Sequence, residues 1–379
     1  MSGRKRTPSG GYAQDWPAYN ASQLNERFNF LRILCELCKE IKEPNSAVGR
    51  PPCLLREIIF CLVLKVYSTL SARRLNGEIC EAKAAGLITK VPSPTSVSTY
   101  LRKLSLTNLL QRLLTQSSLP LASLEKVFAA DSTSFGLPLR RNWYNRHKKR
   151  MEKRRYVAKL HVMCGVATNV ITCAIPTEGN ESDRNYLKHL VAGTARYFQV
   201  TEVSADAGYM SAENMREVLL AGALPYIAFT KNCALDADYK SRIWKDLLYL
   251  FKTRHSVFTT HYFLRNNVEA TFSSMKARFR GRLRSKSTRG QFNEMLCIAI
   301  AHNVCVLIRA MYIFAIDPVS WSGVSPKPKV NPGVAFSKRE KDLAAIRLAA
   351  APRETLNEED PPALGKEPWF IRKEHRRRK

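Results

Sequence analysis

The sequence predicts an α/β fold: a five-stranded mixed sheet flanked by helices, preceded by an all-α N-terminal region. Three observations carry this expectation. Apolar residues recur with a helical period from Trp16 to about residue 115. From Leu124 the period shortens to strand-like alternation, and short apolar strands then alternate with helices to about residue 310. The 379 residues suggest more than one unit, and a hydrophobic fraction of 45% is enough for a real core.

In residues 16–41 the helical spacing falls on Leu24, Phe28, Leu31, Leu34, Leu37 and Cys38. Pro51 and Pro52 open a second helix through Leu54, Ile58, Cys61, Leu62 and Lys65, and 71–85 reads as a third. Ser93 followed by Pro94 is a helix start, with the serine as cap and the proline in the first turn. The helix it opens carries Ser96, Ser98, Thr99, Tyr100, Arg102 and Lys103, small polar and basic groups that suit DNA contact in a helix-turn-helix. A plain helical bundle accounts for these residues equally well.

Residues 126–131 read as a short buried strand ending in Asp131. Residues 156–166 and 170–176 form two more strands, joined through Thr168-Asn169, a hairpin-compatible turn. A helix over 185–198, a strand over 200–206 ending in Asp206, a helix over 211–221 and a strand over 224–230 follow. Residues 262–280 and 291–310 read as long helices. Three antiparallel strands, then helix, strand, helix, strand, helix is the order of a ribonuclease-H-like fold.

Lys and Arg number 61 against 32 Asp and Glu, a net charge of +29. Such an excess repels itself unless a polyanion relieves it. It is clustered: Arg140, Arg141, Arg146, Lys148, Lys149, Arg150, Lys153, Arg154 and Arg155 form one block, with Trp143 and Tyr144 interleaved. Lys276, Arg278, Arg280, Arg282, Arg284, Lys286 and Arg289 form another. Both suit nucleic-acid phosphates, which supply salt-dependent affinity rather than sequence choice. Cys61, Cys164, Cys173, Cys297 and Cys305 sit in apolar runs as small core residues, and Cys35 and Cys38 lack a second pair at zinc-binding spacing. With no secretory signal, a reducing cytosol and association with the nucleoid are expected. The apolar run 297–316 is punctuated by His302, Asn303 and Arg309, which suits a buried helix rather than a membrane span. His147, His161 and His189 are too scattered for a histidine metal site.

An acid that ends a buried strand is costly unless exposed, paired or bound to metal. Asp131 and Asp206 each do so, at the strand edge where open α/β sheets place their sites. Tyr262, Arg265, Glu269 and Lys276 are spaced by three, four and seven residues, and so share one face of a helix. Beside them runs an apolar stripe, Val268, Phe272, Met275 and Phe279, expected to pack on the sheet. Among the other acids, Asp183 is placed to cap the next helix, and Asp236 and Asp238 lie in a polar loop.

Tyr262-x2-Arg265-x3-Glu269-x6-Lys276 resembles the Y-R-E-K signature of insertion-sequence transposases with a DDE site. Ala130-Asp131-Ser132-Thr133 and Ala205-Asp206-Ala207-Gly208-Tyr209 resemble the family's first and second Asp motifs. Upstream, Trp16-x2-Tyr19-Asn20 and Leu70-Ser71-x-Arg73 look like its helical N-terminal region, so the likeness spans roughly residues 16–312. Unlike relatives with a β-rich insertion, this chain has no large insert between Asp206 and Glu269. The resemblance implies a DNA transposase in which Asp131, Asp206 and Glu269 are catalytic and hold two Mg2+ or Mn2+ ions, Asp131 bridging both. It implies phosphate contacts from Tyr262, Arg265 and Lys276, double-stranded DNA as partner, and a homodimer on that DNA. The expected organisation is a tail over 1–15, a helical DNA-binding domain over 16–115, a catalytic domain over 120–316 and a basic, Pro-rich tail over 317–379.

Overall fold

The computed structural model describes residues 15–44, 53–138, 157–229 and 242–321. The basic block with Arg146, Lys148, Lys149 and Arg150 lies outside the described residues. So do Pro51, Pro52, Asp236, Asp238 and the tail from residue 322.

Helix α1 (Trp16–Leu24) is capped by Asp15, whose carboxylate accepts the Ala18 N–H at 3.0 Å. Asn25 interrupts the expected continuous stretch, and α2 (Glu26–Lys39) restarts beyond it. The buried face also differs. Phe30, Ile33, Leu34, Leu37 and Cys38 are buried, while Leu24 and Phe28 are 86% and 68% exposed. Phe28 stands six residues from Leu34, about 120° around the helix axis, too far to share its face. Helix α3 (Leu55–Tyr67) is buried nearly all round, and the Glu43 carboxylate accepts its first N–H groups, from Leu55 at 2.7 Å and Arg56 at 3.0 Å. Helix α4 (Asn76–Ala84) is shorter than expected. Helix α5 (Pro94–Tyr100) starts as read, the Ser93 hydroxyl accepting the Ser96 N–H at 3.1 Å, and α6 (Leu104–Ser118) follows.

Strands β1 (Val127–Gly136), β2 (Val157–Gly165) and β3 (Ile171–Glu178) form an antiparallel meander. Helix α7 (Leu187–Ala195), β4 (Glu202–Ala205), α8 (Ala212–Leu220) and β5 (Leu224–Ile227) complete the sheet. The strand order is β3-β2-β1-β4-β5, with β4 parallel to both neighbours. This is the ribonuclease-H-like arrangement. Among the described residues four helices follow: α9 (Arg242–Thr253), α10 (His255–Tyr262), α11 (Asn266–Phe279) and α12 (Thr288–Phe314).

Alternation along β1 divides the core in two. Phe128 and Ala130 join a layer with α7, α8, α9 and α10, while Ala129 and Phe135 join a larger one with α11 and α12. The larger layer also contains Phe30, Ile58, Leu64, Leu110 and Leu114, so the N-terminal helices and the sheet share one continuous core.

That core is organised by α12. Among the described residues it is the helix long and apolar enough to cross a membrane, yet most of it is buried inside the protein. Its polar side chains act as fasteners. Asn303 donates to the Ile171 carbonyl at 2.7 Å, accepts the Ile171 N–H at 2.9 Å, and donates to the Ser117 hydroxyl at 2.9 Å, tying α12 to β3 and α6. Asn293 donates to the carbonyls of Leu101 and Lys103. His302 Nε2 donates to the Asn169 carbonyl at 2.9 Å, and burial drives its pKa down to about 4 in spite of that bond.

Candidate active site

Asp131 lies in the middle of β1, not at its end. The parallel pairing of β1 with β4 stops at Ala130 opposite Ala205, which makes Asp131 and Asp206 the next residues on neighbouring strands. Pairing with β2 carries β1 on to Gly136, opposite Val157. The expected strand end is therefore the end of one ladder only, and the two aspartates still meet at the edge where β4 stops. By alternation Asp131 faces the same side as Ala129 and Phe135, the side covered by α11.

The single helix expected over 262–280 is built in three parts. Helix α10 ends at Tyr262, a 3-10 turn spans Phe263–Arg265, and α11 begins at Asn266. Val268, Phe272, Met275 and Phe279 are buried in the core layer shared with β1, as the stripe predicts. Anchoring that face leaves Glu269 outside, its side chain 56% exposed.

Arg265 joins the parts. One terminal nitrogen meets Asp131 Oδ2 at 2.9 Å and the other meets Glu269 Oε1 at 2.9 Å. Its side chain is only 17% exposed and Asp131's 18%, so these are well-shielded charges. The Arg265 Nε–H meets no acceptor. Tyr262 lies alongside, its ring 5.8 Å from the guanidinium, and burial raises its hydroxyl pKa. Asp206 is exposed, and its carboxylate accepts the Ala207 N–H at 2.7 Å. Burial pushes the Asp131 carboxyl up to about 6. The Ser132 N–H and Arg265 pull it down, while the charges of Asp206 and Glu269 push it further up.

Lys276, two turns along α11, holds its ammonium 5.8 Å from the ring of buried Phe135, and burial lowers its pKa. Arg278, expected on the DNA face, is turned inward instead. It ion-pairs with Glu26 of α2, which also accepts a hydrogen bond from the Tyr67 hydroxyl at 3.2 Å. Charge alone could not reveal this, because the partner lies 252 residues away. Removing one member of a shielded pair strands the other. Arg278→Met is expected to lower stability by roughly 3 kcal/mol in denaturant titrations while leaving the salt dependence of DNA binding unchanged. Arg280, Arg282 and Arg284 stay exposed on the loop after α11, which is fastened to the end of β1. There the Gly136 N–H donates to the Gly281 carbonyl at 2.9 Å, and the Leu283 N–H to the Gly136 carbonyl at 2.8 Å.

Behind Asp131, on the opposite face of the sheet, lies a polar cluster that sequence reading missed. Asp183 does not cap a helix. Its carboxylate meets Lys159 Nζ at 2.9 Å and Nδ1 of fully buried His161 at 3.2 Å. Burial would raise the Asp183 carboxyl, but the neighbouring His161, Lys159 and Ser132 side chains outweigh it and hold the pKa at about 2. His161 also stacks on Tyr186 and bonds Thr177. The available signal was Lys159 and His161 themselves, two ionisable residues at alternate positions of an otherwise apolar strand.

Three carboxylates offer the hard oxygen donors that Mg2+ or Mn2+ prefers. Among the described residues, no three of His, Cys, Asp and Glu stand close enough to ligate one ion. Arg265 instead places its positive charge between Asp131 and Glu269. The donor set fits a divalent cation chemically, and a guanidinium now balances its charge.

Sheet order, aspartates on neighbouring strands and a glutamate on the helix across them are those of a ribonuclease-H-like fold. Residues 122–304 match the family model described as a transposase DDE domain. The cryo-EM structure of piggyBac transposase synaptic complex with hairpin DNA is similar at a TM-score of 0.35 and 12% identity, over 91% of this chain and 86% of that one. So faint a likeness adds nothing to the fold derived above. No curated protein matches the chain.

Proposed function

We propose that this protein is a DNA transposase that cuts at the ends of a mobile element and joins them to target DNA, acting as a homodimer on double-stranded DNA. The observation that carries the reading is the adjacency of Asp131 and Asp206 on paired strands, with Glu269 linked to Asp131 through Arg265, all inside the matched domain. Asp131, Asp206 and Glu269 would hold divalent cations, which supply Lewis acidity to both the attacking and the leaving oxygen. In the first reaction a water oxygen forms a bond to phosphorus and the 3′ oxygen leaves as a hydroxyl. In the second, that hydroxyl attacks a target phosphorus and a target 3′ oxygen leaves.

The chain's own groups orient the DNA. Arg265, whose planar fork suits two phosphate oxygens, turns from the carboxylates to the scissile strand. Tyr262 donates a hydrogen bond beside it, and Lys276 supplies a point charge further along the strand. The two displacements need no covalent protein–DNA link, so Tyr262 is not the nucleophile.

Glu269→Gln tests the reading. Nicking and joining of end-bearing DNA should each fall by roughly a thousandfold or more, with DNA affinity retained. Persistence of nicking would remove Glu269 from the site. Nicking without joined product, in the unaltered protein, would make this a nuclease that stops at the first reaction. Arg265's closure of the gap between Asp131 and Glu269 favours a second reading, a DNA-binding protein that no longer cleaves, and absence of any metal-dependent nicking would establish it.

A further inference from the structure

A second cluster of charge lies at the seam between the N-terminal helices and the catalytic domain. Lys65 of α3 and Thr69 line a small cleft with Arg280, Arg282 and Arg284 from the loop after α11. Arg74, just before α4, lies within electrostatic reach of Arg284. None of these cations forms a side-chain ion pair with a described carboxylate. Glu294 is the acid in the cleft, and its carboxylate is committed to backbone, accepting the Arg284 N–H at 3.0 Å and the Ser285 N–H at 2.8 Å. Partial burial lowers the Arg284 pKa, and the charges of Arg280 and Arg74 add to the shift against the pull of Glu294.

The backbone is arranged around this cleft at some cost. Thr69 and Arg280 both have positive φ, 55° and 73°, and the Arg280 guanidinium donates to the Thr69 hydroxyl at 3.3 Å. The cleft is also tied to the active site. Along β1 and α11 together, Asp131 lies by Arg265 and Glu269, Phe135 by Lys276, and Gly136 by Arg282. Eleven residues of rise from Glu269 to Arg280 span about 16 Å, or roughly five base pairs of duplex.

We propose that Lys65, Arg74, Arg280 and Arg284 form a phosphodiester-binding site in which N-terminal helices and catalytic domain jointly grip the DNA backbone about five base pairs from the scissile position. The duplex runs from the carboxylates along the seam of β1 and α11, past Lys276, into this cleft. The inference rests on the transposase reading and adds the course of the DNA and the contribution of the N-terminal residues.

Binding of the full chain to a random-sequence duplex, measured against salt concentration, tests it. Each phosphate contact contributes about 0.9 to the slope of log affinity against log salt. Arg74→Gln and Arg284→Gln should each flatten the slope by about one, and Arg74→Lys, which keeps the charge, should restore it. Arg280→Gly should flatten it too without loss of stability, because glycine accepts the positive φ. If the unaltered protein binds duplex DNA and the variants keep its slope, this site is overturned while the transposase reading stands. If the unaltered protein does not bind duplex DNA, both fall.

Discussion

Replacing Asp131 with asparagine should end DNA cleavage and also raise the melting temperature of the protein. The carboxylate is well shielded, and burial together with its acidic neighbours lifts its pKa from 3.8 to about 6. A raised acid pKa means that the folded state resists ionisation. The stabilisation from the protonated form is complete below pH 3.8 and is lost as pH rises through 6, so holding the charge at pH 7 costs about 3 kcal/mol. Asparagine removes that cost and leaves Arg265 paired with Glu269. Thermal unfolding from pH 4 to pH 8 should show the variant's advantage opening across that window. A variant no more stable than its parent at pH 7.5 would mean that the lost Arg265 contact outweighs burial.

A large loss of stability from a single added carbon is expected at Gly165→Ala. A Cβ there would lie 2.3 Å from Glu125 Cδ and 2.6 Å from each carboxylate oxygen. Glu125 cannot retreat cheaply. It is fully buried, and its carboxylate accepts the N–H groups of Ala167 at 3.1 Å and Thr168 at 2.6 Å, and the Thr168 hydroxyl at 2.6 Å. These bonds shape the β2–β3 turn, where Asn169 already takes a φ of 65°. Overpacking combined with a displaced buried carboxylate should cost roughly 4 kcal/mol. Denaturant titration of Gly165→Ala, Glu125→Ala and the double variant would check it. If the double variant shows the plain sum of the single effects, the clash is not the cause.

Much of this was legible in the sequence, because the strand and helix periods are strong. The five strands, their order and the apolar stripe of α11 all follow from local pattern. The misreadings have a common physical source in distant partners. The strand reads as ending at Asp131, yet pairing with β2 carries it on through Ser132, Thr133 and Ser134. Arg278 looks like a phosphate contact, yet Glu26 claims it. Asp183 looks like a cap, yet His161 and Lys159 draw it beneath the sheet. At the site itself the spacing put Arg265 and Glu269 on one helix face, but the arm from Arg265 to Asp131 exists only once β1 and α11 are packed.

The shared core also bears on how the protein is made. Helices α1 to α3 find their partners in α11 and α12: Glu26 meets Arg278, and Asn29 donates to the Tyr312 hydroxyl across 283 positions. A ribosome needs roughly 15–60 s to reach α12 after the first helices emerge. Through that interval α2 can pack on α3, where Phe30 stacks on Tyr67, but the part of its apolar face that α12 covers stays nascent surface, a natural station for a chaperone. The grip on DNA proposed above cannot assemble on a nascent chain that lacks the loop after α11, so newly begun copies hold no complete clamp.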